Sequence, residues 1–296
     1  MTPFADIAVI LVHFHSGGML LACLDDLSRQ DGASMSSVIV VECGDDGSVG
    51  QAIARWPELK ILTPGGNLGY CGGNNLALST LSPGQAALIV NPDVRLHDPT
   101  TTRRLSAALA ADPMLGAVAP LIRTHTGSIE YLESVIDLDT AVAEHRETSL
   151  PSLPPGTPDL VHLPWVNGAC WLLGSEALAQ VGTLDERYFL FFEEVDWALR
   201  AAAIGYKLAL LTTTEVGHTR SASFGTSTKG AYYFWRNRYR LAADHATDRH
   251  WRRHWGRDLL AFVLRRRNVC SGGSANALLG GFDALRGRTG ARPGKA

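Results

Sequence analysis

Cysteine is scarce in this chain, and what there is lies scattered. Five cysteines, Cys23, Cys43, Cys71, Cys170 and Cys270, are odd in number and form no CxxC pair. That excludes a disulfide framework or a zinc site and fits a reducing cytoplasm. No apolar run approaches the roughly 20 residues that a membrane-spanning helix needs. The opening stretch MTPFADIAVILVHF lacks the basic flank and cleavage site of a signal peptide, so residues 7–14 read as a first strand. An excess of charge of one sign is missing too, with 27 Lys and Arg against 29 Asp and Glu. No whole-molecule field therefore favours nucleic acid, and no recognised nucleic-acid module accompanies the basic residues. The remainder is an ordinary globular composition, 46% apolar and 19% charged over 296 residues. That length suits one large α/β domain or two small ones.

The first hundred residues alternate between strand and helix patterns. Residues 7–12, 38–41, 59–62 and 86–90 are short continuous apolar runs, as expected of strands covered on both faces. Between them, Ser16 can cap a helix carrying Leu20, Leu24 and Leu27. Further helices fit about 49–56 and 74–81. Strand and helix alternating at such short separations predict a mostly parallel sheet with helices on both faces. Ligands in such sheets sit beyond the carboxyl ends of the strands. Residues 13–16, 42–45 and 91–93 fall there, so the acid of Asn91-Pro92-Asp93 lies where this architecture places its chemistry.

The second half changes character. Residues 137–163, rich in Pro, Thr, Glu and Ser, read as a long surface loop or hairpin region. Residues 165–173 read as a loop entering a strand, and residues 208–211 as a strand closely followed by His218. In FLFFEEVDW, four aromatics pack against Glu193, Glu194 and Asp196. Two readings stand for these acids. They suit the N-terminus of a helix that runs to about Ile204 and ends at Gly205. A carboxylate in apolar surroundings also has a raised pKa, which suits a general base. The glycine-rich GGNLGYCGGNN lies too far downstream, with the wrong spacing, for a dinucleotide fingerprint. Its glycines let the backbone approach a nucleotide, or merely form a turn before a helix.

Taken in order, these segments resemble the inverting glycosyltransferases of family two, in particular the rhamnosyltransferase-like branch. The resemblance covers about residues 5–240. HFHSGG matches the first strand and loop, and residues 64–75 match N-x-G-[FY]-x-x-G-x-N. Asn91-Pro92-Asp93 looks like this branch's form of the DxD metal motif. Val166-Asn167-Gly168-Ala169 and residues 181–186 flank the acceptor side, FFEEVDWALRAAAIGY resembles F-x-E-D-V-D-x-x-x-R-x-x-x-x-G-[YFW], and His218 matches the histidine that follows. The resemblance implies a GT-A-type nucleotide-diphospho-sugar transferase fold over residues 1–240. It implies donor contacts from His13, His15, Glu42, Asn67, Gly69, Tyr70, Gly73, Asn74, Asn91 and Asp93, and acceptor contacts from Trp165, Asn167, Gly168 and Glu193. It implies Mg2+ or Mn2+ on Asp93 and His218, with Glu194 as the base, Glu193 beside it and Asp196 as the fallback. The implied donor is dTDP-L-rhamnose and the implied acceptor a lipid-linked or other saccharide. A UDP-sugar donor, a natural-product acceptor or a noncatalytic sugar-nucleotide-binding protein are the alternatives.

Two departures stand out. The family usually has V-D-N-x-S at the second strand, where this chain has Val41-Glu42-Cys43-Gly44-Asp45. The usual Glu-Asp pair is Glu193-Glu194 here. The C-terminal region differs again. Between Arg236 and Arg267 there are ten arginines against three aspartates, interleaved with tryptophans. WRRHWGRDLLAFVLRRR reads as a basic amphipathic helix in an extension spanning residues 241–286. Either it lies on an anionic membrane surface, making the protein peripheral on the inner face of the plasma membrane, or it packs its Trp and Leu face on the domain. Residues 287–296 are expected to be a disordered tail.

Overall fold

The computed structural model describes residues 7–219, 228–265 and 273–292. Cys270, Arg266, Arg267 and residues 293–296 of the expected tail lie outside them. The four buried runs of the first half form β1 (Ile7–Phe14), β2 (Val38–Gly44), β3 (Lys60–Leu62) and β4 (Ala86–Val90), joined by α1 (Gly18–Ser28), α2 (Ser48–Arg55) and α3 (Gly69–Leu78). Their central residues, such as Val9, Ile10, Val40 and Leu88, are fully enclosed, which is why they read as unbroken apolar runs. Two helix starts differ from expectation. Ser16 does not cap α1, because its hydroxyl bonds the His13 imidazole 2.5 Å away and Gly17 takes the cap position. The third helix begins at Gly69, five residues before the expected start, because the Asn67 side-chain oxygen accepts the Gly69 N–H at 2.8 Å and turns the chain there.

Next come β5 (Val94–Arg95), α4 (Thr101–Ala111) and β6 (Leu115–Arg123). The expected loop over 137–163 proves largely ordered. A hairpin of β7 (Tyr131–Asp137) and β8 (Val142–Glu147) is followed by β9 (Leu160–Leu163), which joins the main sheet. Then follow β10 (Cys170–Leu173), α5 (Ser175–Val181), α6 (Glu193–Ala203) and β11 (Lys207–His218). Strand β11 runs far past the expected 208–211 and carries His218 as its last residue, pairing along β6 through an irregularity between Leu211 and Glu215.

Among the described residues the main sheet runs β3-β2-β1-β4-β10-β6-β11-β5. Its first half is parallel, as the alternating pattern requires. Strand β10 runs antiparallel between β4 and β6, so the sheet as a whole is mixed. Two pairings bring together segments that the sequence singled out. His218 lies opposite Val94 in the β5–β11 ladder, and Cys170 lies opposite Val90. Strand β5 is itself anchored to α1, since the buried Asp26 carboxylate accepts from Arg95 at 2.6 Å and from the Leu96 N–H at 3.1 Å. Burial opposes the Asp26 charge, but Arg95 outweighs it and holds the carboxyl below its ordinary range.

The C-terminal part consists of α7 (Thr228–His245), α8 (Trp251–Leu264) and a final helix, α9 (Gly273–Leu285). The domain boundary expected at residue 240 falls inside α7. One side of this helix grips the loop leading into α6 and another packs on α9. Residues 287–292 are not a loose tail: the Gly290 carbonyl accepts from Arg236, and Arg292 donates to the Tyr233 hydroxyl and to Asn276.

Candidate active site

Two carboxylate centres adjoin the Asn167-Gly168 turn, one beside Asn167 and one beside Gly168. The first forms where β5 and β11 meet. Asp93 follows β4 and immediately precedes β5, and the β5–β11 pairing brings His218 beside it, 3.6 Å from Nε2 to Oδ1. The other imidazole nitrogen lies 3.4 Å from Glu130, a buried acid just ahead of β7. Burial opposes charge on His218, but the two flanking carboxylates outweigh it and lift the imidazole to about 9. Glu130 also accepts from the Asn167 side chain at 3.3 Å.

The second centre opens α6. Glu193, Glu194 and Asp196 all sit in its first turn, where the helix dipole favours negative charge. Their surroundings separate them. Glu193 is enclosed, and burial together with the adjacent Glu194 pushes its carboxyl well above the ordinary range. Glu194 is half-buried, and burial pushes it up to about 7. Each keeps one carboxylate oxygen without a hydrogen-bond partner among the described residues. Asp196 is different: Arg200 binds one oxygen at 2.9 Å and His245 the other at 2.8 Å. Both its oxygens are committed to holding α6 against α5 and α7, which leaves the expected fallback base engaged in structure.

The turn between the centres is tightly specified. The Asn167 side-chain oxygen accepts the Ala169 N–H at 2.8 Å, and the Gly168 carbonyl accepts the Tyr70 hydroxyl at 2.6 Å. Tyr70 in turn accepts from the Trp171 indole. A Cβ on Gly168 would stand 3.0 Å from the Tyr70 oxygen and 3.7 Å from the Glu194 Cβ. Contacts thus run from Asp93 through His218, Glu130, Asn167 and Gly168 to Tyr70 and Glu194.

The segment leading into α6 stores strain. Phe189, Phe191 and Phe192 all have positive φ, at 67°, 70° and 73°. Such conformations cost of order 1–3 kcal/mol each in non-glycine residues and persist only where the surroundings enforce them. The enforcement comes from α7. The Asn237 amide donates to the carbonyls of Tyr188, Leu190 and Phe191 at 2.8, 2.7 and 3.0 Å. The buried Arg236 guanidinium donates to Tyr188 at 2.7 Å. On the other side, Gly69 has φ 69°, and a Cβ there would come within 2.4 Å of the Phe189 carbonyl. Only glycine lets α3 start that close.

The remaining expected contacts divide into two groups. Half-buried Glu42 and exposed His15 lie at the carboxyl ends of β2 and β1, with Thr63 donating to Glu42 at 3.3 Å. Asn91 and Asn67 are half-buried and engaged through backbone and turn bonds. His13, Gly73 and Asn74 are instead buried beneath the surface. His13 braces the loops by bonding Ser16, Asp46 and Ser48. Burial works against charge on Asp46, but bonds from Ser48 and the Gly17 N–H hold it well below its ordinary range. Gly73 packs where a Cβ would strike Val12 at 2.7 Å. Asn74 donates to the Tyr70 carbonyl, and its side-chain oxygen has no partner among the described residues. Trp165 is buried too, stacked on His145 with centroids 3.7 Å apart. Sequence reasoning missed Glu130, Arg236 and Asn237. Glu130 shares SIEYLES with Glu133 and belongs to no motif, and the amide and guanidinium act on backbone carbonyls, which leave no side-chain signature.

No family model matches the chain. In sequence it is 28% identical over 244 residues, 73% of this chain and 77% of the relative, to an N-acetylglucosaminyl-diphospho-decaprenol L-rhamnosyltransferase of Mycobacterium tuberculosis. In structure it is similar to GalNAc-T7, solved with UDP, GalNAc and Mn2+. The TM-score is 0.64 at 14% identity, over 96% of this chain and 55% of that one, so this chain spans little more than half of that neighbour. It is also similar to a mannosyltransferase of Pyrobaculum calidifontis in complex with GDP-Man and Mn2+, with TM-score 0.56 and 13% identity over 95% of this chain and 87% of that one. The chain is a glycosyltransferase with the GT-A fold. Within that class it is similar to the rhamnosyltransferase-like branch of family two.

Proposed function

We propose that this chain is a metal-dependent inverting glycosyltransferase that moves L-rhamnose from dTDP-rhamnose onto a hydroxyl of a lipid-linked saccharide. The observation that carries the reading is the placement of two unlike centres on either side of the Asn167-Gly168 turn. One is an acid with an oxygen that has no partner among the described residues and a pKa lifted to about 7. The other is a carboxylate–imidazole pair 3.6 Å apart.

Glu194 accepts the proton of the acceptor hydroxyl, at a pKa matched to neutral pH. The freed oxygen attacks the anomeric carbon from the face opposite the nucleotide. The bond from that carbon to the diphosphate oxygen breaks, and the configuration inverts. Enclosed Glu193 orients the acceptor side, and Tyr70, held by Gly168, closes the wall between the two centres.

Asp93 and His218 fit a divalent cation once the ion displaces the imidazole proton: an oxygen and a nitrogen donor at the carboxyl end of the sheet are types that Mg2+ and Mn2+ accept. Among the described residues no third His, Cys, Asp or Glu completes a metal cage. A Mg2+-type ion held by few protein ligands draws its remaining ligands from water and substrate phosphate. When bound, the ion neutralises charge developing on the departing diphosphate. Glu130 fixes the orientation of His218 through the nitrogen that faces away from Asp93. The rhamnose donor and lipid-linked acceptor rest on the name of the mycobacterial relative and on the sequence resemblance.

The test is a panel of dTDP-rhamnose, UDP-hexoses and GDP-mannose, each with Mn2+, Mg2+ or EDTA and with a short-chain prenyl-diphospho-N-acetylglucosamine acceptor. Release of nucleoside diphosphate and the mass of the glycolipid are measured. Metal-dependent transfer of a deoxyhexose from dTDP-rhamnose is expected. Turnover of a UDP-hexose alone would replace the donor and leave the class standing. Donor binding without turnover on any acceptor would make the chain a sugar-nucleotide binder.

A further inference from the structure

Helix α9 is built inside out. Its inward residues are small: Ser274, Ala277, Gly280 and Gly281 are all buried. A Cβ on Gly280 would come 2.2 Å from the Tyr232 carbonyl oxygen of α7, and one on Gly281 would lie 2.8 Å from Leu259 of α8. The large apolar residues point the other way. Leu278, Leu279, Phe282 and Leu285 are 51%, 44%, 50% and 63% exposed. Their spacing of one, three and three puts them on one helical stripe. The one acid of the helix, Asp283, faces inward and accepts from Tyr232 at 2.8 Å. A helix that faces water normally shows charge there. This one shows none between Ala275 and Leu285.

Helix α8 extends the same surface. Ser274 bonds the Val263 carbonyl and Gly281 meets Leu259, so the two helices run antiparallel. The tryptophans of α8, offered by the sequence as membrane anchors, are not available: Trp251 and Trp255 are buried against Tyr239, with Trp255 also against Trp235. The outward stripe of α8 is Arg253, Arg257, Leu260 and Leu264, with Leu260 58% and Leu264 70% exposed. Arginines border the apolar face, and Arg286 lies over the Phe282 ring at 3.9 Å.

We propose that the outer face of α9, with the last turns of α8, docks on an anionic lipid surface. Charge selects the occupant. Residues 228–296 hold 15 Lys and Arg and four Asp, whereas residues 1–227 hold 12 Lys and Arg and 25 Asp and Glu. A bilayer bearing acidic headgroups complements such a region, and a second copy of the same basic face repels it. At 13 residues α9 is about 20 Å long. That suits a helix lying in the interface plane, and no described helix is long and apolar enough to cross a membrane. The inference is independent of which sugar the chain moves.

The test is cosedimentation of the full chain, without donor, with vesicles of phosphatidylcholine alone or mixed with phosphatidylglycerol. Salt-sensitive binding to the mixed vesicles is expected. The fourfold variant Leu278→Gln, Leu279→Gln, Phe282→Gln, Leu285→Gln should bind about 100-fold more weakly or worse, with an unchanged melting temperature. Should that variant fail to fold, the single change Leu285→Asp reads the same point, and a loss of binding there supports the proposal. Arg253→Gln with Arg257→Gln, Arg265→Gln and Arg286→Gln should remove the preference for acidic lipid. Absence of vesicle binding by the unmodified chain overturns the proposal. So does a dimer in light scattering that the fourfold variant converts to monomer, since the face would then belong to a second copy.

Discussion

The two carboxylate centres of the candidate active site differ in how their charge is compensated. At Asp93 and Glu130 the protein supplies a cation of its own, the His218 imidazole lifted to about 9. At Glu193 and Glu194 none is supplied among the described residues, and burial raises both acids instead. Carboxylates thus stand beside a charged partner in one place and in apolar burial in the other. The difference comes from neighbours contributed by distant strands.

The strongest way to break this contrast is Glu194→Gln, which keeps size but cannot accept a proton. Transfer should fall by about a hundred- to ten-thousand-fold, with donor affinity nearly unchanged. The same substitution should raise stability. An acid whose folded pKa lies above its unfolded value contributes its full stability below about pH 4.5, and loses it as pH rises to about 7. At pH 8 the Gln variant should therefore be more stable by on the order of 2 kcal/mol, read as a higher melting temperature that the change does not produce at pH 4. For the unmodified enzyme, log rate should climb with pH and level off near pH 7. A rate that falls through that range would remove Glu194 as the base.

Asp93→Asn attacks the other centre. Loss of a charged ligand should weaken metal-dependent donor binding and cut transfer by about 100-fold or more, without the stability gain expected at Glu194. Full activity with a metal still required would place the ion elsewhere.

Glu130→Gln should act more mildly, because it orients His218 rather than binding substrate. A loss of about 10- to 100-fold in Mn2+ affinity is expected, measurable by titrating the metal in a donor-binding assay. Unchanged metal affinity would reduce Glu130 to a structural acid.

Asn237→Ala sharpens the contrast from behind. Removing the amide leaves three carbonyls of the strained loop without it, costing about 1–3 kcal/mol in stability, with a several-fold loss of transfer from misplaced Glu193 and Glu194. The smallest effect should come from Asp196→Asn: a modest drop in melting temperature with transfer nearly intact, since both its oxygens serve Arg200 and His245. An inactive but well-folded Asp196→Asn would move the base half a helical turn along α6.

Much of this is legible in the amino-acid sequence alone. The strands of the first half announce themselves as unbroken apolar runs, because a strand covered on both faces has no polar side to show. Asp93 and the α6 acids stand out by their motifs. The α9 surface does not, because its glycines, alanines and leucines read as a bland terminal stretch. Only the packing shows that the small residues face inward and the leucines outward. Glu130 and Asn237 carry no local pattern, since each acts on a partner 88 or 46 to 49 residues away in the chain.

Local sequence, then, set the order of strands and helices and the identity of the acids, because hydrophobic periodicity and residue chemistry act over a few residues. Which acid is paired and which lacks a partner among the described residues was decided by the fold alone. The antiparallel return of β11 onto β5 places His218 beside Asp93, while α7 and Arg200 claim Asp196 and leave one Glu194 oxygen without a partner among the described residues. A pKa and a role depend on distances of a few ångströms, and only tertiary contact brings residues that far apart in the chain so close.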